Sequence, residues 1–132
     1  MAVRFLIIGG GPAGNTAATY AARLGADVVM VEREIVGGAA HLLDCIPSKT
    51  MIATGGAMTF GRKSAGMGLE EMQPEVDVEA LTDRIEDIKD HLSNSTTELL
   101  VSQGVRIIKG SASFASPESV VVTTPDGATE VI

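Results

Sequence analysis

Residues 5–14 read FLIIGGGPAG, a short apolar run that passes directly into three glycines and a proline. An apolar run such as residues 5–8 is typical of a strand that is buried on both faces. Pro12 suits the first turn of a helix, where its missing N–H removes no hydrogen bond. Alanine-rich sequence continues that helix to Leu24. The stretch therefore predicts a strand, a tight glycine turn and a helix.

A second apolar strand over residues 28–31 ends at Glu32 and completes a β-α-β unit, which requires a parallel pair and a right-handed crossover. The turn glycines Gly9, Gly11 and Gly14 follow the pattern G-x-G-x-x-G. Such glycines allow a tight turn, the approach of a pyrophosphate and close helix packing, and a later acidic residue binds a ribose. A glycine hexamer alone could also mark an ordinary turn. The strand, the helix and the glutamate in register favour a dinucleotide site, without separating NAD from FAD.

The middle of the chain predicts a mixture of loop and helix. Residues 37–49 indicate a loop that enters a second helix at Pro47. Two adjacent glycines, Gly55 and Gly56, are expected to interrupt or soften this helix. Residues 61–74 are rich in glycine and charge and predict another loop.

A long helix is predicted from an N-cap at Asp77 to a stop at Gly104. Its single apolar stripe favours packing on its own domain over a coiled-coil partner, and it comprises Leu81, Ile85, Ile88, Leu92 and Leu99. After Gly104, apolar residues recur at every second position. This spacing predicts short strands over residues 105–109, 113–114, 120–124 and 129–132. The expected fold class is α/β, a three-layer Rossmann-like domain with a parallel sheet and a β-meander.

Composition narrows the function classes. A chain of 132 residues with 45% apolar residues is long enough for one domain with a sizeable core. The net charge of −7 argues against a nucleic-acid or anionic-membrane partner. No membrane span is indicated, because no run approaches eighteen apolar residues. No metal-ligand spacing of His and Cys is present, and a single cysteine suits a reducing, cytoplasmic location.

The single cysteine, Cys45, comes just before Pro47 at the predicted helix start. The positive end of a helix favours a thiolate, and Lys49 adds positive charge one turn later, so the pair suits a nucleophile or an electron donor. A buried, inert cysteine is the alternative that this loop alone leaves open. Nearby His41 could transfer protons, but an exposed loop side chain is favoured for it, and Asp44 is favoured as solvated.

The chain resembles the start of the flavin-dependent pyridine nucleotide-disulfide oxidoreductases, which include dihydrolipoamide dehydrogenase and glutathione reductase. Besides the glycine turn, the resemblance rests on residues 37–49, which read GGAAHLLDCIPSK against the family's GGxCxxxxCxPSK. It implies FAD as cofactor and NAD(P)H as co-substrate. It also implies that residues 1–132 are the first part of an FAD-binding domain, incomplete at its C-terminus. The nicotinamide and dimerisation domains would lie outside this chain, in a longer homodimeric protein.

The resemblance also implies roles for individual residues. Cys45 matches the cysteine that donates charge to the flavin ring, and Lys49 matches a lysine near the flavin N5 edge; both are predicted to be catalytic. Glu32 matches the ribose-binding residue, and Arg33 is expected beside the adenine. Residues 110–114 resemble a strand segment that meets the adenosine half. The predicted cofactor-binding set is Gly9, Gly11, Pro12, Ala13, Gly14, Glu32, Arg33, Gly37, Gly38, Ala39, Cys45, Lys49 and Ala112.

Ala40 stands where the family has its first cysteine, so the redox disulfide cannot form between these two positions. Because that disulfide relays electrons to a dithiol couple, its loss predicts a different acceptor. We expect an oxidoreductase that passes electrons from NAD(P)H through FAD to a quinone-type acceptor, with this segment inactive by itself and Cys45 tuning or vestigial. One alternative is a dihydrolipoamide dehydrogenase-like enzyme with a thiol from elsewhere. Another is a non-catalytic nucleotide-binding module.

Overall fold

The computed structural model describes residues 3–132, and Met1 and Ala2 lie outside the described residues. A π-helical segment, Ala40–Cys45, leads directly into the second helix, and a 3-10 turn, Ser64–Met67, follows it. The helices are α1 (Pro12–Arg23), α2 (Ile46–Lys63) and α3 (Val78–Ser102). The strands are β1 (Arg4–Ile8), β2 (Asp27–Glu32), β3 (Arg106–Lys109), β4 (Ser111–Ser116), β5 (Ser119–Thr123) and β6 (Thr129–Val131).

The first sheet is parallel, with β2 between β1 and β3. Residues 28–31 of this central strand are all buried, as expected of a strand covered on both faces. One face packs against α1 and α3 through a core cluster of Ile7, Ala18, Val28, Met30, Leu100 and Val105. The predicted β-α-β unit and its parallel pairing are therefore confirmed.

The second sheet is an antiparallel meander in the order β4-β5-β6. It covers the other face of the parallel sheet, where Val31 packs with Val120 and Val122. Because adjacent residues of a strand point to opposite faces, Met30 contacts the helices while Val31 contacts the meander. The domain thus has three layers, helices, parallel sheet and meander, which confirms the predicted fold class.

The long helix α3 begins and ends as the sequence predicts. The side chain of Asp77 accepts a hydrogen bond of 2.9 Å from the backbone amide of Ala80, and Gly104 adopts a left-handed φ of +84° just past the helix end. The predicted stripe is wrong at its last member. Leu99 is 54% exposed, whereas Leu100 is buried. Leu100 lies seven residues after the half-buried Ser93 and four after the half-buried Thr96, and it therefore continues the inward face of the helix.

The loop predicted over residues 37–49 is wrong from Ala40 onward, where a π-helical segment leads directly into α2. The amide of Ile46 donates to the carbonyl of His41, which is the i to i+5 bonding of a π-helix. A proline ring inside an α-helix clashes with the carbonyl four residues earlier, and the wider π turn relieves that crowding. Pro47 is the second residue of α2, so the predicted helix start is confirmed to within one residue, although a π-helical segment and not a loop leads into it.

Two further expectations about the middle of the chain are wrong. The helix α2 runs through Gly55 and Gly56 without interruption, because a helix tolerates glycine at a cost of about 1 kcal/mol that packing can offset. The loop predicted from residue 61 starts later, since α2 ends at Lys63 and the 3-10 turn follows. None of the helices described over residues 3–132 is both long and apolar enough to cross a membrane.

Candidate functional site

A cleft of about 410 Å³ opens at the carboxyl ends of β1 and β2. This is the edge of an open parallel sheet at which ligands bind, and the volume lies in the range of small-molecule sites. Its lining comes from the glycine turn, the end of β2, the start of the second helical segment and the start of β4. The lining residues are Ile8, Gly9, Gly11, Val31, Glu32, Arg33, Glu34, Gly38, Ala39, Gly110, Ser111 and Ala112.

The glycine turn holds α1 close to the sheet. Gly9 adopts a φ of +101°, and its amide donates a 2.8 Å hydrogen bond to the carbonyl of Val31. A Cβ at Gly14 would lie only 1.9 Å from the carbonyl oxygen of Gly9, so only glycine fits there. The amides of Ala13 and Gly14 belong to the first helical turn, where N–H groups have no intrahelical acceptor. The turn therefore presents free donors and the positive end of a helix.

A second helix N-terminus meets the first at Gly38. The amide of Gly37 donates a 2.8 Å hydrogen bond to the carbonyl of Gly10, which ties the two segments together. Gly38 has a φ of +87°, and a Cβ there would lie 2.8 Å from the Cα of Gly11. Ala39, which lines the cleft, is the N-cap residue of the π-helical segment, so its amide also lacks an intrahelical acceptor. Two positive helix ends thus adjoin the same cleft, an arrangement suited to a pyrophosphate.

The carboxylate of Glu32 lies at the other end of the glycine turn. Its Oε2 accepts a 2.6 Å hydrogen bond from the amide of Gly10, and its Oε1 accepts one of 2.6 Å from the amide of Glu34. The backbone carbonyl of Glu32 accepts from the amide of Gly110, 2.9 Å away, which links β2 to the start of β4. A carboxylate oxygen can accept a second hydrogen bond, so Glu32 retains capacity for ribose hydroxyls.

These features fit the adenosine diphosphate half of FAD. Backbone packing around the cleft leaves no room for a Cβ at Gly14 or Gly38, and Glu32 lines the same cleft. Arg33 also lines the cleft, and its guanidinium pairs with the Glu34 carboxylate at 2.8 Å with both side chains exposed. An exposed pair of this kind contributes little to stability, so Arg33 is free to reorient toward a ligand.

The structure brings many of the predicted binding residues together. The members of the predicted set that line the cleft are Gly9, Gly11, Glu32, Arg33, Gly38, Ala39 and Ala112. Pro12, Ala13, Gly14 and Gly37 lie in the backbone segments that shape it. The sequence reasoning missed Ile8, Val31 and Glu34, although the first two end or nearly end parallel strands and could have been placed by that position. Binding of FAD by these residues stays a prediction.

Cys45 and Lys49 are not among the residues that line the cleft. Both are exposed, and their spacing of four residues places them on one face of the helix. The helix N-terminus lies at Gly38 and Ala39, so Cys45 is more than one turn inside the helix. The dipole effect falls off within the first turn of a helix, and the role predicted for Cys45 stays a prediction.

The π-helical segment before Cys45 determines which residue lies next to the cysteine. In a π-helix, residues five apart are hydrogen-bonded across adjacent turns, so Ala40 occupies the position beside Cys45. A methyl group stands where a second thiol would be needed. His41 is exposed, in agreement with the favoured interpretation of that residue. Over residues 3–132 there is no group of three His, Cys, Asp or Glu side chains that could hold a metal ion.

Comparisons with known proteins agree with the fold. A family model described as pyridine nucleotide-disulphide oxidoreductase matches residues 3–132. The chain is 36% identical over 122 residues to a dihydrolipoyl dehydrogenase of Halobacterium salinarum, covering 92% of this chain and 26% of that protein. It is 33% identical over 131 residues to the dihydrolipoyl dehydrogenase of Pseudomonas aeruginosa, covering 96% and 28%.

Solved structures give the same result. LpdA from Mycobacterium tuberculosis superposes with a TM-score of 0.87 at 32% identity, covering 98% of this chain and 29% of that one. A flavoprotein disulfide reductase from Escherichia coli shares the fold, with a TM-score of 0.74 at 23% identity, covering 99% and 26%. The chain spans about a quarter of the length of these relatives.

Proposed function

The chain belongs to the pyridine nucleotide-disulphide oxidoreductase family, and from that premise we propose that its cleft binds the adenosine diphosphate half of FAD. FAD and NAD(P)H are the cofactors of this family. The observation that carries the proposal is the contact of two helix N-termini at Gly11 and Gly38, beside the carboxylate of Glu32. An anionic group and a sugar diol are the ligand chemistry that suits these donors and this acceptor.

Each part of the cleft has a separate task in this proposal. The amides of the two first helical turns bind the pyrophosphate, and each helix end contributes the equivalent of about half a positive charge. Glu32 accepts hydrogen bonds from the ribose hydroxyls, while its bonds to Gly10 and Glu34 hold its carboxylate in place. When bound, FAD supplies the redox chemistry of its ring system, and the protein orients it. The roles predicted for Cys45 and Lys49 near that ring remain part of the proposal.

For the whole protein we propose an FAD-dependent oxidoreductase related to the dihydrolipoyl dehydrogenases. The names of the relatives favour a dithiol or disulfide substrate over the quinone-type acceptor that the sequence predicts. One specific observation favours the quinone-type acceptor as a second candidate. Ala40 lies beside the single cysteine, so a disulfide relay at Cys45 would need a thiol from outside these 132 residues.

Two further features of the whole protein rest on the family resemblance. We propose a homodimer and a cytoplasmic location, and we propose that the cofactor site needs parts of the protein outside this chain for turnover. A non-catalytic nucleotide-binding module is the remaining alternative. The observation that favours it is that residue 40 is an alanine and supplies no second thiol.

Binding of ADP to the 132-residue chain tests the cleft directly. We expect calorimetry to show one site, and we expect Glu32→Gln to weaken binding because a neutral amide is a poorer acceptor for the ribose hydroxyls. Gly55→Ala is the matched control, because no atom lies within 4 Å of the added Cβ. If ADP does not bind, or if Glu32→Gln binds it as tightly as the unchanged chain, the proposal fails.

The acceptor is tested on the whole protein by anaerobic titration of the flavin absorption band. Rapid bleaching by dihydrolipoamide would support dithiol chemistry and rule against the quinone-type candidate. No rapid bleaching by the dithiol, then bleaching by NAD(P)H and recovery on adding a quinone, would support the second candidate. A purified whole protein without a flavin band would leave only the nucleotide-binding module.

A further inference from the structure

Lys109, the last residue of β3, contacts the loop that follows β2. Its Nζ donates a hydrogen bond to the backbone carbonyl of Glu34, 75 residues earlier in the chain. In the parallel pairing of β2 with β3, Lys109 is the register partner of Glu32. The backbone of Lys109 therefore lies beside Glu32 at the end of β2, and its side chain reaches the loop that follows β2.

The peptide groups of Glu34 are held on both sides. Its amide donates to Oε1 of Glu32 at 2.6 Å, and its carbonyl accepts from Lys109. The same carboxylate accepts from Gly10 through its other oxygen. One connected set of hydrogen bonds thus runs from β3 through the loop to the Glu32 side chain and on to the glycine turn.

Lys109 does not line the cleft itself. It lines an adjoining pocket of about 270 Å³ on the α3 side, which shares Glu32 and Glu34 with the cleft. Its side chain is exposed, so it adds little to the core. The hydrogen bonds that connect Lys109 to the cleft pass through Glu34 and Glu32.

We propose that Lys109 is a positioning residue that presets the Glu32 carboxylate for a ribose. This inference rests on the proposed binding of the adenosine diphosphate half of FAD. A hydrogen bond from a charged donor is roughly twice as strong as a neutral one, which makes Lys109 an effective anchor for an exposed loop. Without it, residues 33–36 must be ordered when the ligand binds, and that ordering lowers the affinity.

The test compares ADP with 2′-deoxy-ADP, which lacks one of the hydroxyls that Glu32 would bind. We expect Lys109→Met to raise the dissociation constant of ADP about tenfold, the loss of one charged hydrogen bond. We expect a smaller rise for 2′-deoxy-ADP, so the preference for ADP falls. Lys109→Arg should restore both, because its guanidinium can donate to the same carbonyl.

The control is Lys63→Met, which removes the same charge from an exposed position at the end of α2. It should leave the preference for ADP unchanged. The unliganded melting temperature of Lys109→Met should stay near that of the unchanged chain. Hydrogen exchange at the Glu34 amide should be faster in Lys109→Met than in Lys63→Met, and this readout does not depend on ligand.

Two kinds of negative result remain distinguishable. If the unchanged chain binds ADP and depends on Glu32, but Lys109→Met keeps the full preference for ADP, the positioning role is overturned while the binding site stands. Equal weakening by the methionine and arginine variants also overturns it. If Glu32→Gln has no effect on ADP binding, the proposed function fails, and the role of Lys109 fails with it.

Discussion

Substitution of Gly14 by alanine should be far more damaging than the addition of one methyl group to a helix usually is. The added Cβ would lie 1.9 Å from the carbonyl oxygen of Gly9, where 3.0 Å is the practical lower limit. It would also lie 3.1 Å from the carbonyl carbon of Gly9 and 3.3 Å from Cγ2 of Ile7. The nearest contact is therefore 1.1 Å too short, and the obstacle is backbone.

The backbone at Gly9 has little freedom to move. Its amide is hydrogen-bonded to Val31 at 2.8 Å, so α1 would have to shift away from the sheet instead. Such a shift would loosen the core between Ile7, Ala18 and Met30. Overpacking in cores usually costs about 1–3 kcal/mol, and we expect at least about 3 kcal/mol here because no flexible side chain can yield. The same shift would displace the cleft amides, so ADP binding should be lost as well.

Urea denaturation followed by circular dichroism measures this loss as a change in the free energy of unfolding. Gly55→Ala is the control, since it is also a helical glycine but has no atom within 4 Å of the new Cβ. It should stabilise the chain by about 0.5–1 kcal/mol, because alanine favours the helix. Equal unfolding free energies for Gly14→Ala and the unchanged chain, with ADP affinity retained, would refute the reasoning.

Three further substitutions have defined outcomes. Gly38→Ala should weaken ADP binding at least about tenfold by calorimetry, because its Cβ would lie 2.8 Å from the Cα of Gly11 at a φ of +87°; unchanged affinity would contradict the two-helix cradle. Ala40→Cys should give two titratable thiols after reduction and none after mild oxidation, because position 40 lies one π turn from Cys45; two free thiols after oxidation would contradict that geometry. Asp77→Ala should cost about 1 kcal/mol of unfolding free energy through the lost N-cap bond, and Asp77→Asn should keep most of it; equal losses in urea would argue against the cap.

Local sequence was sufficient to predict those features of the fold that depend on interactions between residues close together in the chain. The apolar period of β2, the glycine spacing of the turn and the N-cap at Asp77 each involve only a few neighbouring residues. The resemblance carried by the glycine turn and residues 37–49 led to the same family as the comparisons. Local pattern misled over residues 40–45, where the expected loop is a π-helical segment that continues into α2.

By itself, the sequence determined the β-α-β unit, the meander and the identities of most residues in the cleft, since periodicity and turn chemistry are local properties. Only the tertiary structure decided that Gly38 touches Gly11 and that Lys109 holds the loop after Glu32. These contacts join residues 27 and 75 positions apart, and they depend on which faces of sheet and helix meet. The physical reason is that these contacts depend on how all the helices and strands pack together in the core. No short window of sequence contains both partners of such a contact.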